Sequence, residues 1–180
     1  MALSGSFGNS LDVSGAPGAN YALWIAWDAT HNVANNTSTI VCEFYLIQSD
    51  SWSIDIGSRS NTCVIDGTTI GWTSPAIKNS GGAKTLLGSC YHTVKHNEDG
   101  TKSLTITVKY AVSPLTISGI SYTEIVASTN IDLDQILRGL VHIDTGSSFV
   151  NAIPYIDNGS EWKQCVPYID NGSEFKLCAG

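Results

Sequence analysis

The sequence predicts an all-β protein: a jelly-roll-like β-sandwich followed by two short tandem β-hairpins. Three observations carry that reading. Apolar and polar residues alternate with period 2 through most of residues 20–133. The turn clusters SGAPGAN, HNVANNTS, KNSGGA and HNEDG interrupt those runs at short intervals. No long window carries a 3.6-residue period, and the one helix-like scrap, DLDQILRGL at 132–140, is short.

In chain order, YALWIAW (21–27) is apolar on both faces, as a covered strand is, and places Trp24 and Trp27 in the core. TSTIVCEFYLIQ (37–48) sets Ile40, Cys42, Phe44 and Leu46 on one face. Asp66-Gly67, between CVI and TTIGW, is a two-residue hairpin signal, because both positions tolerate positive φ. KTLLGSCYHTVKH (84–96) alternates again, and Asp99-Gly100 turns the chain into TKSLTITVKYAV (101–112). There Leu104, Ile106, Val108 and Tyr110 oppose a hydroxyl-rich face. Several short strands separated by turns make a sandwich domain over 1–136, with 137–152 as a connector.

The last stretch, 153–180, contains PYIDNGSEWKQC (154–165) and, one residue later, PYIDNGSEFKLC (167–178). The copies differ only where Trp162 becomes Phe175 and Gln164 becomes Leu177. Each reads as a hairpin turning at Asn-Gly, with Pro154 and Pro167 marking strand starts. A lone hairpin is marginal in water, so the tail needs a partner surface: the sandwich, a sister subunit or another protein. Tyr155, Trp162, Tyr168 and Phe175 are the expected repeated contacts.

Composition excludes several function classes. A net charge of −7, with seven Lys and two Arg scattered along the chain, is the opposite of a nucleic-acid footprint. No segment approaches the ~20 apolar residues that span a bilayer, so no membrane insertion is expected. The opening MALSGSFGNSLDVSG has neither the basic start nor the apolar run of a signal peptide, and synthesis in a cytoplasm is expected. Five cysteines (42, 63, 90, 165 and 178) without a CxxC signal neither a zinc site nor a disulfide framework; Cys42 and Cys90 read as small core hydrophobes. His92 and His96 lie about 13 Å apart along a strand, too far to share an ion. HNEDG has too few oxygen donors for a calcium loop. No metal and no cofactor are expected.

Catalytic motifs are missing too. There is no GxSxG, Walker loop or dinucleotide fingerprint, and the acidic residues mostly occupy turns, so a non-enzymatic protein is expected. The candidate ligand site is aromatic: Trp52, in QSDSWSIDIGS beside Asp50, and Trp72, in TTIGWTS, sit among polar neighbours. An indole can stack on the apolar face of a pyranose while short polar groups take its hydroxyls. In the alternative reading both rings plug the open ends of the sandwich.

NNTSTIVCEFYL and HNEDGTKSLTIT, with SGSFGNS before them and NIDLDQILRG after, resemble the β domain of tailed-bacteriophage minor structural proteins found in tails and baseplates. The resemblance spans roughly residues 3–138, and the repeated tail is similar to short tandem motifs that close many virion proteins. It implies a virion protein assembled in a host bacterial cytoplasm. Its expected partners are other virion proteins, met through the C-terminal hairpins, further copies of itself, and a host cell-surface glycan. The alternative is a capsid decoration or tail cement protein with no ligand.

Overall fold

In the computed structural model, residues 2–11, 21–48, 53–80, 82–117, 120–136, 141–170 and 172–177 are described. Among them there is no helix. Two four-stranded antiparallel sheets pack face to face. The first holds β1 (Ser4–Leu11), β2 (Tyr21–Asn32), β3 (Thr37–Gln48) and, beyond a short pair, β8 (Lys84–Lys95), in the order β1-β2-β3-β8. The second holds β5 (Arg59–Ile65), β6 (Thr68–Ser74), β9 (Lys102–Ile117) and β10 (Ile120–Leu133), in the order β10-β9-β5-β6. The short pair is β4 (Ser53–Ile56) with β7 (Ile77–Ser80). After the β1-β2-β3 meander the chain crosses to the second sheet for β5-β6, returns for β8, and crosses again for β9-β10.

Alternation decides which side chains go inside. On β3 the buried set includes Ile40, Cys42, Phe44 and Leu46; on β9 it is Leu104, Ile106, Val108, Tyr110 and Val112. The outward face of β9 and β10 is a hydroxyl and amide ladder, in which Thr105 Oγ1 donates to Asn130 Oδ1 at 2.6 Å and Thr107 meets Ser128 at 2.7 Å. That ladder pairs mostly uncharged polar groups across the two strands, with Asp132 and the Lys109–Glu124 pair as its charged members. β2 buries Tyr21, Leu23, Ile25 and Trp27 and leaves its other face half-buried. Trp24 belongs to that second face, so of the two tryptophans read as core only Trp27 is buried there.

Asp66 and Gly67 take φ of 51° and 79° and join β5 to β6 through a two-residue turn, as the Asp-Gly step predicts. Of the helix-like stretch 132–140, residues 132–133 end β10 and 134–136 are irregular, with Leu133 and Ile136 buried; residues 137–140 lie outside the described residues. The connector carries a hairpin of its own, β11 (Val141–Asp144) with β12 (Phe149–Ala152).

The repeats form β13 (Tyr155–Asp157) with β14 (Trp162–Gln164), and β15 (Tyr168–Asp170) with β16 (Phe175–Leu177). Each first strand begins directly after its proline. The expected two-residue Asn-Gly turn is a longer loop, closing at Asp157–Trp162 and at Asp170–Phe175. Side chains form the turn: Asp157 Oδ1 accepts from Gly159 N at 2.8 Å, and Asp170 Oδ1 from Gly172 N at 2.8 Å. Asn158 Oδ1 takes the Ser160 and Glu161 amides at 3.0 and 2.9 Å, so its carbonyl oxygen caps the loop and Asn158 does not serve as a tight-turn residue.

Candidate functional site: an aromatic and acidic cleft over a buried histidine clamp

Two turns far apart in sequence are tied together at the end of the sandwich. Asn36, at φ 53°, closes the β2–β3 turn, and its side-chain Nδ2 donates to the Asn97 carbonyl at 2.7 Å. In return, the His96 amide donates to the Asn36 carbonyl at 2.9 Å. Ser38 and His96 are buried beneath them. The His96 ring is held from both sides, with Nδ1 2.7 Å from the Gly100 carbonyl and Nε2 2.6 Å from Ser38 Oγ.

A carbonyl can only accept, so Nδ1 carries the proton. Neutral His96 then accepts the Ser38 hydroxyl at Nε2, and Ser38 Oγ accepts from His31 Nδ1 at 2.7 Å. The two imidazoles meet edge to face with centroids 5.4 Å apart. His96, read from the sequence as a turn residue, is therefore buried and spends both ring nitrogens on structure; its partner is His31, not His92. The motifs NNTS and HNEDG, which carried the resemblance, are the two halves of this clamp.

Burial lowers the His96 pKa, and the nearby His31 and Lys102 charges add to that, against the Gly100 hydrogen bond. The unfolded chain, with an ordinary histidine pKa of about 6.5, binds this proton first as pH falls. Stability is thus full above about pH 6.5 and is lost below it, toward the depressed folded value. Urea midpoints are expected to fall between pH 7.5 and pH 5, and His96→Gln should remove that part of the slope. An unchanged slope in the variant would show that His96 is not neutral in the folded clamp.

Above the clamp lies a cleft of about 560 Å³ between the 97–99 turn and the first tail hairpin. Its sandwich side presents Asn97, Asp99 and Gln135, and its hairpin side presents Tyr155, Glu161 and Trp162. The floor is fixed: Asp99 Oδ1 accepts from Thr101 Oγ1 at 2.6 Å and from Thr101 N at 2.9 Å, and Gln135 Nε2 donates to the Asp99 carbonyl at 2.6 Å. The Thr101 side-chain and backbone hydrogen bonds hold the Asp99 carboxyl below the usual carboxylate range, so it stays ionised at neutral pH. Tyr155 and Trp162 share the face of the hairpin toward the cleft, since each pairs across from a residue of that face. An open cleft with aromatic rings on one wall and short polar groups on the other can stack and hydrogen-bond a sugar.

The residues singled out for ligand binding fare differently. Trp52 and Asp50 lie outside the described residues. Trp72 is 9% exposed, packed against Phe44 at 4.5 Å and Tyr110 at 6.2 Å between ring centroids, and belongs to the core cluster. Its ring is a packing group of the sandwich interior. The four tail aromatics are all exposed, and in matched pairs: Tyr155 at 52% with Tyr168 at 53%, and Trp162 at 69% with Phe175 at 72%. Sequence reading missed that Asn97, Asp99 and Gln135 line one cleft with Trp162, because only the fold brings residues 97–99 beside 155–162.

Comparison with protein-family models, curated proteins and solved structures found no match. Among the described residues no helix is long and apolar enough to cross a membrane.

Proposed function

We propose that this chain is a non-enzymatic structural protein of a tailed-bacteriophage particle. It is displayed on the virion, assembled through its C-terminal hairpins, and contributes to attachment to a host-surface glycan. The observation that carries this reading is the structural fidelity of the repeat. Two hairpins in the same register present an aromatic pair each, at equal exposure, on a tail whose side chains are largely solvent-facing. Large aromatics held open to water, twice over, suit an interface and cost solubility otherwise. Other virion proteins and sister copies of this chain are the partners such a tail would meet. The cleft beside Trp162, on the first hairpin, offers a sugar site in place of buried Trp72, which leaves Tyr168 and Phe175 of the second hairpin to make the assembly contact. Weak per site, it gains strength through many copies on one particle.

Among the described residues the core cluster draws its members from residues 2–133, and none comes from the tail hairpins. Deleting 151–180 is expected to leave a folded domain whose stability changes by no more than about 0.5 kcal/mol, while incorporation into particles is lost. Normal incorporation of the shortened chain would refute assembly through the hairpins. On an array of host polysaccharides the full chain should bind, and Trp162→Ala should not. A blank array with incorporation intact would select the decoration or cement role, with no ligand.

A further inference from the structure

Three of the cysteines meet inside the sandwich. Cys42 on β3 and Cys90 on β8 are register partners in one sheet, and Cys63 on β5 faces them from the other. Their sulfurs all lie within 4.8 Å of one another, and all three residues are buried. We propose that this trio binds one soft monovalent cation, Cu(I), through three thiolate sulfurs, joining the two sheets of the sandwich.

The donor set selects the ion. Thiolates favour soft closed-shell metals, and a structural zinc site asks for four ligands. Among the described residues no histidine or carboxylate joins the cluster, so three sulfurs are what it offers. Cu(I) accepts three-sulfur coordination, and its oxidation state does not change on binding. The three thiols release up to three protons as the ion enters.

The geometry agrees. Three sulfurs around a metal at about 2.3 Å stand about 4 Å apart, which is less than 1 Å inside the widest separation here. All three cysteines are free thiols, so each sulfur is open to a metal. There is also a route in. β6 and β8 are both edge strands, and a recess of about 520 Å³ runs between them past Ile70, Gly71 and Tyr91 to Cys90. The apolar residues around the sulfurs then keep water from the bound ion.

The test uses the full chain carrying Cys165→Ser and Cys178→Ser, so that only the trio supplies thiols. It is titrated without oxygen, in reductant, with Cu(I) against a competing Cu(I) chelator. One ion per chain is expected, with a thiolate-to-copper charge-transfer band and an X-ray absorption shell of three sulfurs at about 2.3 Å. Cys63→Ala on the same background should weaken binding more than about 100-fold, beyond what losing a merely supporting partner costs. Its circular dichroism should be unchanged; should that variant not fold, the sulfur shell of the parent chain decides. No binding, a shell of two sulfurs, or a Cys42–Cys90 disulfide that survives the reducing conditions would each overturn the proposal.

Discussion

Gly100→Ala is expected to cost about 4 kcal/mol or more, enough to remove much of the stability of an ordinary domain. Gly100 sits at φ +80°, where an L side chain is strained. A Cβ there would also stand 2.0 Å from the Ile136 carbonyl oxygen, which is backbone and cannot swing aside. The neighbourhood has no slack. The Gly100 amide donates to the Asn97 carbonyl at 2.9 Å, and the Gly100 carbonyl accepts both the Ile136 amide at 2.9 Å and His96 Nδ1. Moving the turn to relieve the contact therefore breaks the histidine clamp and frees the segment after β10 at once. Chemical unfolding of the variant should show a sharply lowered midpoint and loss of the pH-dependent step ascribed to His96. A variant as stable as the parent would mean that Ile136 does not pack on this turn.

That site shows how far the sequence could be read. The hairpin turn at Asp99-Gly100 was legible, because a glycine after an acidic residue between two alternating runs has a local cause. The clamp was not, because its partners Asn36, Ser38 and His31 lie some sixty residues away, and nothing local marks a turn histidine as buried. The same division runs through the fold. Strands β3, β8 and β9 were legible because one face is apolar and the other is not. β1 was not, since Gly5 and Gly8 depress strand propensity. They are there for closeness: a Cβ on Gly5 would meet the Trp27 ring at 2.9 Å, and one on Gly8 the Leu23 carbonyl at 2.6 Å. The cysteine cluster was hidden for the reason that hid the clamp. Spacings of 21 and 27 residues match no motif, and only the packing of β5 on β3 and β8 unites the sulfurs. In the tail the repeat announced two hairpins, but the cleft needs the sandwich beside them.

Trp72→Ala is the second large loss expected, at about 3–5 kcal/mol, the cost of emptying an aromatic core position. The indole fills a space made for it. β8 carries a register shift opposite Phe44 and Tyr45, and there Gly88 takes φ +153°. A Cβ on Gly88 would lie 3.2 Å from the Trp72 ring, so the irregular strand and the missing side chain together admit the indole. Phe44 and Tyr110 then close on its two sides. Of the polar neighbours that suggested a sugar site, Thr69 and Thr73 lie on the exposed face of β6, and Ser74 is buried on the inward face with Trp72. Its indole Nε1 is buried without a hydrogen-bond partner, so the ring contributes here by packing and not by its N–H. Trp72→Phe, which keeps an aromatic ring and removes that N–H, should lose no more than about half as much as the alanine variant. Both variants should keep glycan binding to the extent that they fold, while Trp162→Ala should keep full stability and lose binding. If Trp72→Ala left the unfolding midpoint unmoved and abolished glycan binding, the ring would be a ligand contact and the cleft at Trp162 would lose its assignment.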